Sequence, residues 1–165
     1  MKIFAMKLGK KYKILFVCLG NICRSPAAEG IMKEFIKESK LGYLIEVDSA
    51  GTYGGHAGDL PDSRMRAHAL RRGYNLTHRS RQIRVDDFDE YDMIIAMDDM
   101  NVDELRRLAP DVESMRKIYL MTDYCTRLQV DHVPDPYYSG SDGFEQVLDI
   151  LEDACSGLLK KLVNN

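Results

Sequence analysis

Tryptophan is absent from the 165 residues, proline occurs only 5 times, and the 4 cysteines are too few and too scattered for a disulfide scaffold. A chain with so few cysteines suits a reducing compartment, so a cytoplasmic location is expected. No apolar run approaches the ~18 residues that a membrane-spanning helix requires. The apolar part of Met1 to Lys7 is too short for a secretory signal. A formal net charge of −3 argues against coating nucleic acid or a membrane by global attraction, and neither partner is expected. Internal repeats and low-complexity segments are missing as well.

Local charge is less even. Arg64, Arg66, Arg71, Arg72, Arg79, Arg81 and Arg84 crowd one stretch, and Asp and Glu dominate from Asp86 to Asp111. Aromatic residues for base stacking do not interleave with the arginines, so two solvated faces of opposite charge are expected. A positive face remains suited to steering an anionic substrate. With 45% hydrophobic and 30% charged residues, the chain can bury the core of one compact domain without metal or disulfide staples. Residues 1–12 carry scattered lysines and no clear period, which predicts an extension, followed by one domain over 13–165.

Lys13 to Val17 is a continuous apolar run, as in a strand buried on both faces. Further strands are predicted at Leu44 to Ser49, Asp92 to Met97 and Lys117 to Met121. Helical spacing of Ala28, Ile31, Met32, Phe35 and Ile36 predicts a helix that opens on a Ser25 cap with Pro26 in the first position. Ser63 to Arg72 reads as a helix stopped by Gly73, and Asp99 to Leu108 as one stopped before Pro110. Gly51 to Asp59 and Asp131 to Gly143 read as loops. The last helix carries a long apolar stripe from Phe144 to Leu162, with Asp142 and Glu145 spaced as a capping box. Strands alternating with helices predict an α/β fold with a parallel sheet covered on both faces. Ligands of such sheets bind at the carboxyl ends of strands.

Cys18 lies at such an end, and the loop Cys18-Leu19-Gly20-Asn21-Ile22-Cys23-Arg24-Ser25 joins strand to helix. Backbone N–H groups of a loop like this can turn inward on an oxyanion, aided by the positive end of the helix dipole. The turn needs unusual backbone angles, expected at Gly20 and tolerated by Asn21. The same field favours a thiolate at Cys18, from ~8.5 toward the range ~3.5–7.5, and a thiolate attacks phosphorus to form a covalent intermediate. Five residues further along, the planar fork of Arg24 can hold two phosphoryl oxygens, and Ser25 can donate to the sulfur. Cys18 and Cys23 lack the second ligand pair of a zinc site.

The segment Cys18 to Pro26 resembles the signature loop of the low-molecular-weight protein tyrosine phosphatases. The resemblance continues in Asp48-Ser49-Ala50-Gly51-Thr52, His78-Arg79-Ser80-Arg81-Gln82 and Asp135-Pro136-Tyr137-Tyr138. It implies a three-layer α/β/α domain with a four-stranded parallel twisted sheet in the order 2-1-3-4, acting as a monomer on phosphotyrosine proteins without cofactor or metal. It implies that Cys18 attacks phosphorus, Arg24 binds the phosphoryl group and Asp135 protonates the leaving oxygen. Leu19, Gly20, Asn21, Ile22, Cys23 and Ser25 would line the phosphate. Tyr137 and Tyr138 resemble the aromatic pair beside the cleft, and Asn21, Ser49, His78 and Glu29 the support behind the loop. Cys23 matches the family's second loop cysteine, which implies a reversible bridge to Cys18 under oxidation. Where many members carry an aromatic specificity residue, this chain has Tyr53-Gly54-Gly55-His56, so either Tyr53 supplies that wall or the cleft is more open there. Two alternatives stay open. An arsenate reductase of the same fold would need two further cysteines around residues 85 to 105, where none occurs. A non-catalytic phosphate-binding module would have little use for Cys18, Arg24 and Asp135 together.

Overall fold

The computed structural model describes residues 9–164. Residues 1–8 of the expected extension lie outside the described residues, and Tyr12, its last residue, already belongs to the first strand. In chain order the elements are β1 (Tyr12–Cys18), α1 (Arg24–Glu38), β2 (Ile45–Gly51), α2 (Ser63–Arg71), α3 (Asp87–Glu90), β3 (Met93–Ala96), α4 (Asp99–Leu108), α5 (Val112–Met115), β4 (Ile118–Leu120), a 3-10 turn (Met121–Tyr124) and α6 (Ser141–Asn164).

The strands form a parallel sheet of 4 in the order β2-β1-β3-β4. β1 lies inside the sheet and its alternate residues feed two cores, which is why it reads as a continuous apolar run. Ile14 and Phe16 pack with Ala28, Ile31 and Met32 of α1 and with Leu148, Leu151 and Leu158 of α6. Leu15 and Val17 pack on the other face with Phe88 of α3 and Leu105 of α4. Phe16, Leu15 and Leu105 are fully buried, and truncating such a side chain to Ala costs about 2–5 kcal/mol.

Two helix starts differ from the sequence expectation. α1 begins at Arg24 behind Cys23, which makes no side-chain cap, so Ser25 and Pro26 fall one to two residues inside the helix. The Ser25 hydroxyl is drawn to Cys18, Asn21 and Ala50 instead of to its own helix. The second is the capping box. α6 begins at Ser141, which places Asp142 inside its first turn, and the Glu145 carboxylate goes to Arg72 and His68 of the α2 region. An ion pair between elements outcompetes the local cap. Among the described residues no helix is long and apolar enough to cross a membrane.

Candidate active site

A cavity of about 220 Å³ opens at the carboxyl end of β1, where Cys18 ends the strand. Its floor is Cys18, Leu19, Gly20, Ile22, Cys23 and Arg24, and its walls are Tyr53, His56, Asp135, Tyr137 and Tyr138.

The loop's carbonyls are tied outward. Thr52 N donates to Cys18 O (3.0 Å), Tyr53 N to Leu19 O (2.8 Å), Ser80 Oγ to Gly20 O (3.1 Å) and Asp62 N to Ile22 O (2.8 Å). In a trans peptide the N–H points opposite to the C=O, so these bonds turn the next N–H of each peptide away, toward the cavity. The N-terminus of α1 stands directly behind. Together they make a floor built for an anion.

Asn21 carries the turn. It adopts φ 55, whereas Gly20 does not have a positive φ, contrary to expectation. Gly20 fits closely: a Cβ there would sit 3.2 Å from Cδ2 of His56, whose ring would have to shift by a few tenths of an ångström. Asn21 is fully buried, and its amide is used at every position. Nδ2 donates to Ser25 Oγ (2.8 Å) and Ser49 Oγ (3.0 Å); Oδ1 accepts from His78 Nε2 (2.9 Å) and Arg81 N (3.0 Å). Ser49 Oγ in turn donates to Glu29 Oε1 at 2.7 Å. These bonds offset the strain of a left-handed Asn.

Ser25 Oγ lies 3.0 Å from Cys18 Sγ and 3.4 Å from Ala50 O. Asn21 donates to that oxygen, so the serine hydrogen has two acceptors to choose from, the sulfur and the Ala50 carbonyl, and the sulfur is the nearer. Cys23 is buried beside Cys18 in the same loop, and burial, then Asp62 and Cys18, push its thiol well above the ordinary range. Both stand as free thiols.

Arg24 is 3% exposed. Its Nη1 donates to Asp98 Oδ2 (2.6 Å) and Val133 O (3.1 Å), and its Nη2 lies 3.7 Å from Asp135 Oδ2. Burial alone would lower the guanidinium; Cys18, Asp98 and Asp135 outweigh it and hold the group above its ordinary value. Asp98 also caps α4, accepting from Asn101 N at 2.8 Å through its other oxygen. Asp135 is half-exposed on the rim, and its Oδ1 accepts from Tyr137 N at 3.1 Å.

Among the described residues one group has the spacing to hold a metal: Glu29, Asp48 and His78, with ligand atoms within 4.8 Å of one another. Each is already engaged. Lys33 and Ser49 donate to Glu29, Tyr91 and Ser49 N to Asp48, and His78 Nδ1 stands 3.2 Å from Glu29 and 3.3 Å from Asp48. They support the loop from behind.

A family profile described as low molecular weight phosphotyrosine protein phosphatase matches residues 13–165. The chain belongs to that family. A low molecular weight protein-tyrosine-phosphatase of Streptomyces coelicolor is 43% identical over 90% of this chain and 92% of its own length. The human low molecular weight phosphotyrosine protein phosphatase is 37% identical over 90% and 94%. A protein tyrosine phosphatase from Entamoeba histolytica, solved with Hepes in its active site, is 48% identical with a TM-score of 0.91 over 93% of this chain and 98% of that one. This family member is accordingly a phosphotyrosine phosphatase of the four-stranded parallel fold.

The predicted site residues of this phosphatase converge on one cleft. Asn21, Ser25, Ser49, Glu29 and His78 lie beneath the floor, and Tyr53, Tyr137 and Tyr138 reach the walls. Asp98, Asp48 and His56 went unassigned from sequence. Asp98 carried one usable signal: it follows β3 at the same sheet edge as Cys18. Beyond Cys23, the other cysteines do not line the cavity: Cys155 is fully buried with Sγ on Ala28 O, and Cys125 Sγ faces Ile150 O.

Proposed function

We propose that this phosphatase hydrolyses phosphotyrosine on proteins, within one domain over residues 13–165, through a phosphocysteine on Cys18. The observation that carries the reading is the placement of Cys18 Sγ, backed by the Ser25 hydroxyl at 3.0 Å, on the floor of a cavity that Arg24 and Asp135 close. In the first step the sulfur attacks phosphorus, the P–O bond to tyrosine breaks, and Asp135 gives its proton to the leaving phenolate oxygen. The transition state is loose, with charge on the equatorial oxygens, so the inward N–H groups and the Arg24 fork supply most of the stabilisation. In the second step water attacks phosphorus, Asp135 takes back a proton, and the P–S bond breaks. The Ser25 hydroxyl donates to the sulfur as it leaves.

Tyr53 supplies the aromatic wall. Its ring lies over Gly55, and a Cβ at 55 would collide with the phenol. His56 meets the same ring edge-on, with centroids 6.1 Å apart. Across the cleft Tyr137 packs edge-on to Tyr138 at 4.9 Å. Two aromatic walls suit a flat phenyl ester. Turnover of p-nitrophenyl phosphate and of a phosphotyrosine peptide tests the reading: Cys18→Ser should abolish both. Asp135→Asn should slow the peptide by about 10²–10⁴-fold, and much less an ester whose leaving group needs no proton. Undiminished turnover by Cys18→Ser would refute the assignment.

A further inference from the structure

The arginines between Arg64 and Arg84 fall into two groups. Arg64 is paired with Asp62, Arg81 with Asp87, and Arg72 with Glu145, Asp149 and Glu152. Arg66, Arg71, Arg79 and Arg84 have no carboxylate within ion-pair distance among the described residues, and of these Arg66 and Arg79 reach the loop before α2. Each instead donates to a backbone carbonyl: Arg66 Nε to Pro61 O at 2.9 Å, and Arg79 Nη1 to Gly58 O at 3.2 Å. Both carbonyls belong to the loop that carries Tyr53 and His56. Of the loop's two acids, Asp62 pairs with Arg64 and Asp59 turns to His56 Nδ1 at 3.4 Å, so neither carboxylate pairs with Arg66 or Arg79.

A guanidinium fixed on a carbonyl is oriented without being neutralised, and most of its five N–H donors remain for solvent or a ligand. Two such groups brace one wall of the cleft from outside. A phosphotyrosine whose phosphate reaches the floor brings its neighbours in the substrate chain down on the cleft rim. We propose that Arg66 and Arg79 form a subsite for acidic side chains flanking the phosphotyrosine, so that the preferred protein substrates carry Asp or Glu beside it. The subsite rests on the phosphatase reading above and adds the substrate class to it. Its effect falls on capture of the substrate and on its salt dependence, as for other charges at an interface rim.

Two phosphotyrosine peptides test this, identical except for Glu or Gln at the flanking positions, with p-nitrophenyl phosphate as reference. At low salt the Glu peptide should exceed the Gln peptide by about tenfold in kcat/KM, about threefold per exposed charge pair, chiefly through KM. At about 0.5 M salt the gap should close. Arg66→Gln with Arg79→Gln keeps an N–H for each carbonyl and removes the charge; it should erase the preference and leave p-nitrophenyl phosphate turnover within about twofold. The Lys pair, R66K with R79K, should retain the preference. Equal wild-type kcat/KM for the two peptides, or a preference that survives in the Gln pair, would overturn the subsite. Loss of turnover on all three substrates by the wild type would instead remove the phosphatase reading on which it stands.

Discussion

Beneath the floor of the cleft Asn21, Ser25 and Ser49 are 0% exposed and bonded to one another, whereas on the walls Tyr53, Tyr137 and Tyr138 keep 56%, 37% and 95% exposure. The floor is over-determined: a left-handed Asn holds its angle because four partners use its amide. The walls are held by ring packing on loops. The difference separates two tasks. Phosphoryl transfer needs fixed donors, which a buried network provides. Choice of substrate tolerates adjustable contacts at a wet rim.

Substitutions can break that division, and the largest effect should come where floor and acid meet. Asp98→Asn keeps the α4 cap but removes the charge that holds Arg24. It should lower kcat/KM for p-nitrophenyl phosphate by about 10²-fold, with thermal unfolding little changed. Asn21→Ala leaves His78 Nε2 and Arg81 N without their acceptor, removes a donor from the Ser25 and Ser49 hydroxyls, and places an alanine at φ 55. A stability loss of about 2–4 kcal/mol is expected in denaturant titration, together with a lower kcat. The walls should respond differently. Tyr53→Ala, or Gly55→Ala that evicts the Tyr53 ring from its seat, should raise KM for aryl phosphates about five- to tenfold with kcat nearly intact. A fall in kcat as large as that of Asp98→Asn would erase the distinction.

The smallest effect on activity is expected far from the cleft. Asp153, on α6, is 1% exposed; burial alone would raise its carboxyl, but N–H groups of Leu128, Thr126 and Arg127 bring it down to about 2. A carboxyl depressed in the folded state stabilises above its ordinary value of 3.8 and loses that contribution as pH falls through about 2. Asp153→Asn should therefore cost about 1.5–3 kcal/mol at neutral pH, and the difference from wild type should vanish near pH 2 in acid unfolding. Turnover at neutral pH should stay unchanged.

How far these parts are visible from sequence follows the range of the interactions. β1, a continuous apolar run, and α4, bounded by its acidic start and Pro110, are local patterns, and the predicted Asp99–Leu108 is the observed range of α4. The loop was legible for the same reason, since thiol, turn and guanidinium fall in one short segment. The helix caps depart from expectation where a distant partner wins. Ser25 serves a sulfur 7 residues back, and Glu145 an arginine 73 residues away. Asp98 escaped because its bond to Arg24 spans 74 residues, and no spacing rule encodes such a contact. The short α3 and α5 turns carry too few residues for a period to register. Gly55 had no sequence signal, because its constraint is the Tyr53 ring resting on it.

Rapid quench of the wild-type enzyme with phosphorus-labelled aryl phosphate, followed by peptide mapping, puts the central step to its most direct trial. Label should appear within the first turnover on the peptide that contains Cys18, and decay at the rate of steady-state turnover. Label-free Cys18 during full turnover would contradict a sulfur-bound intermediate.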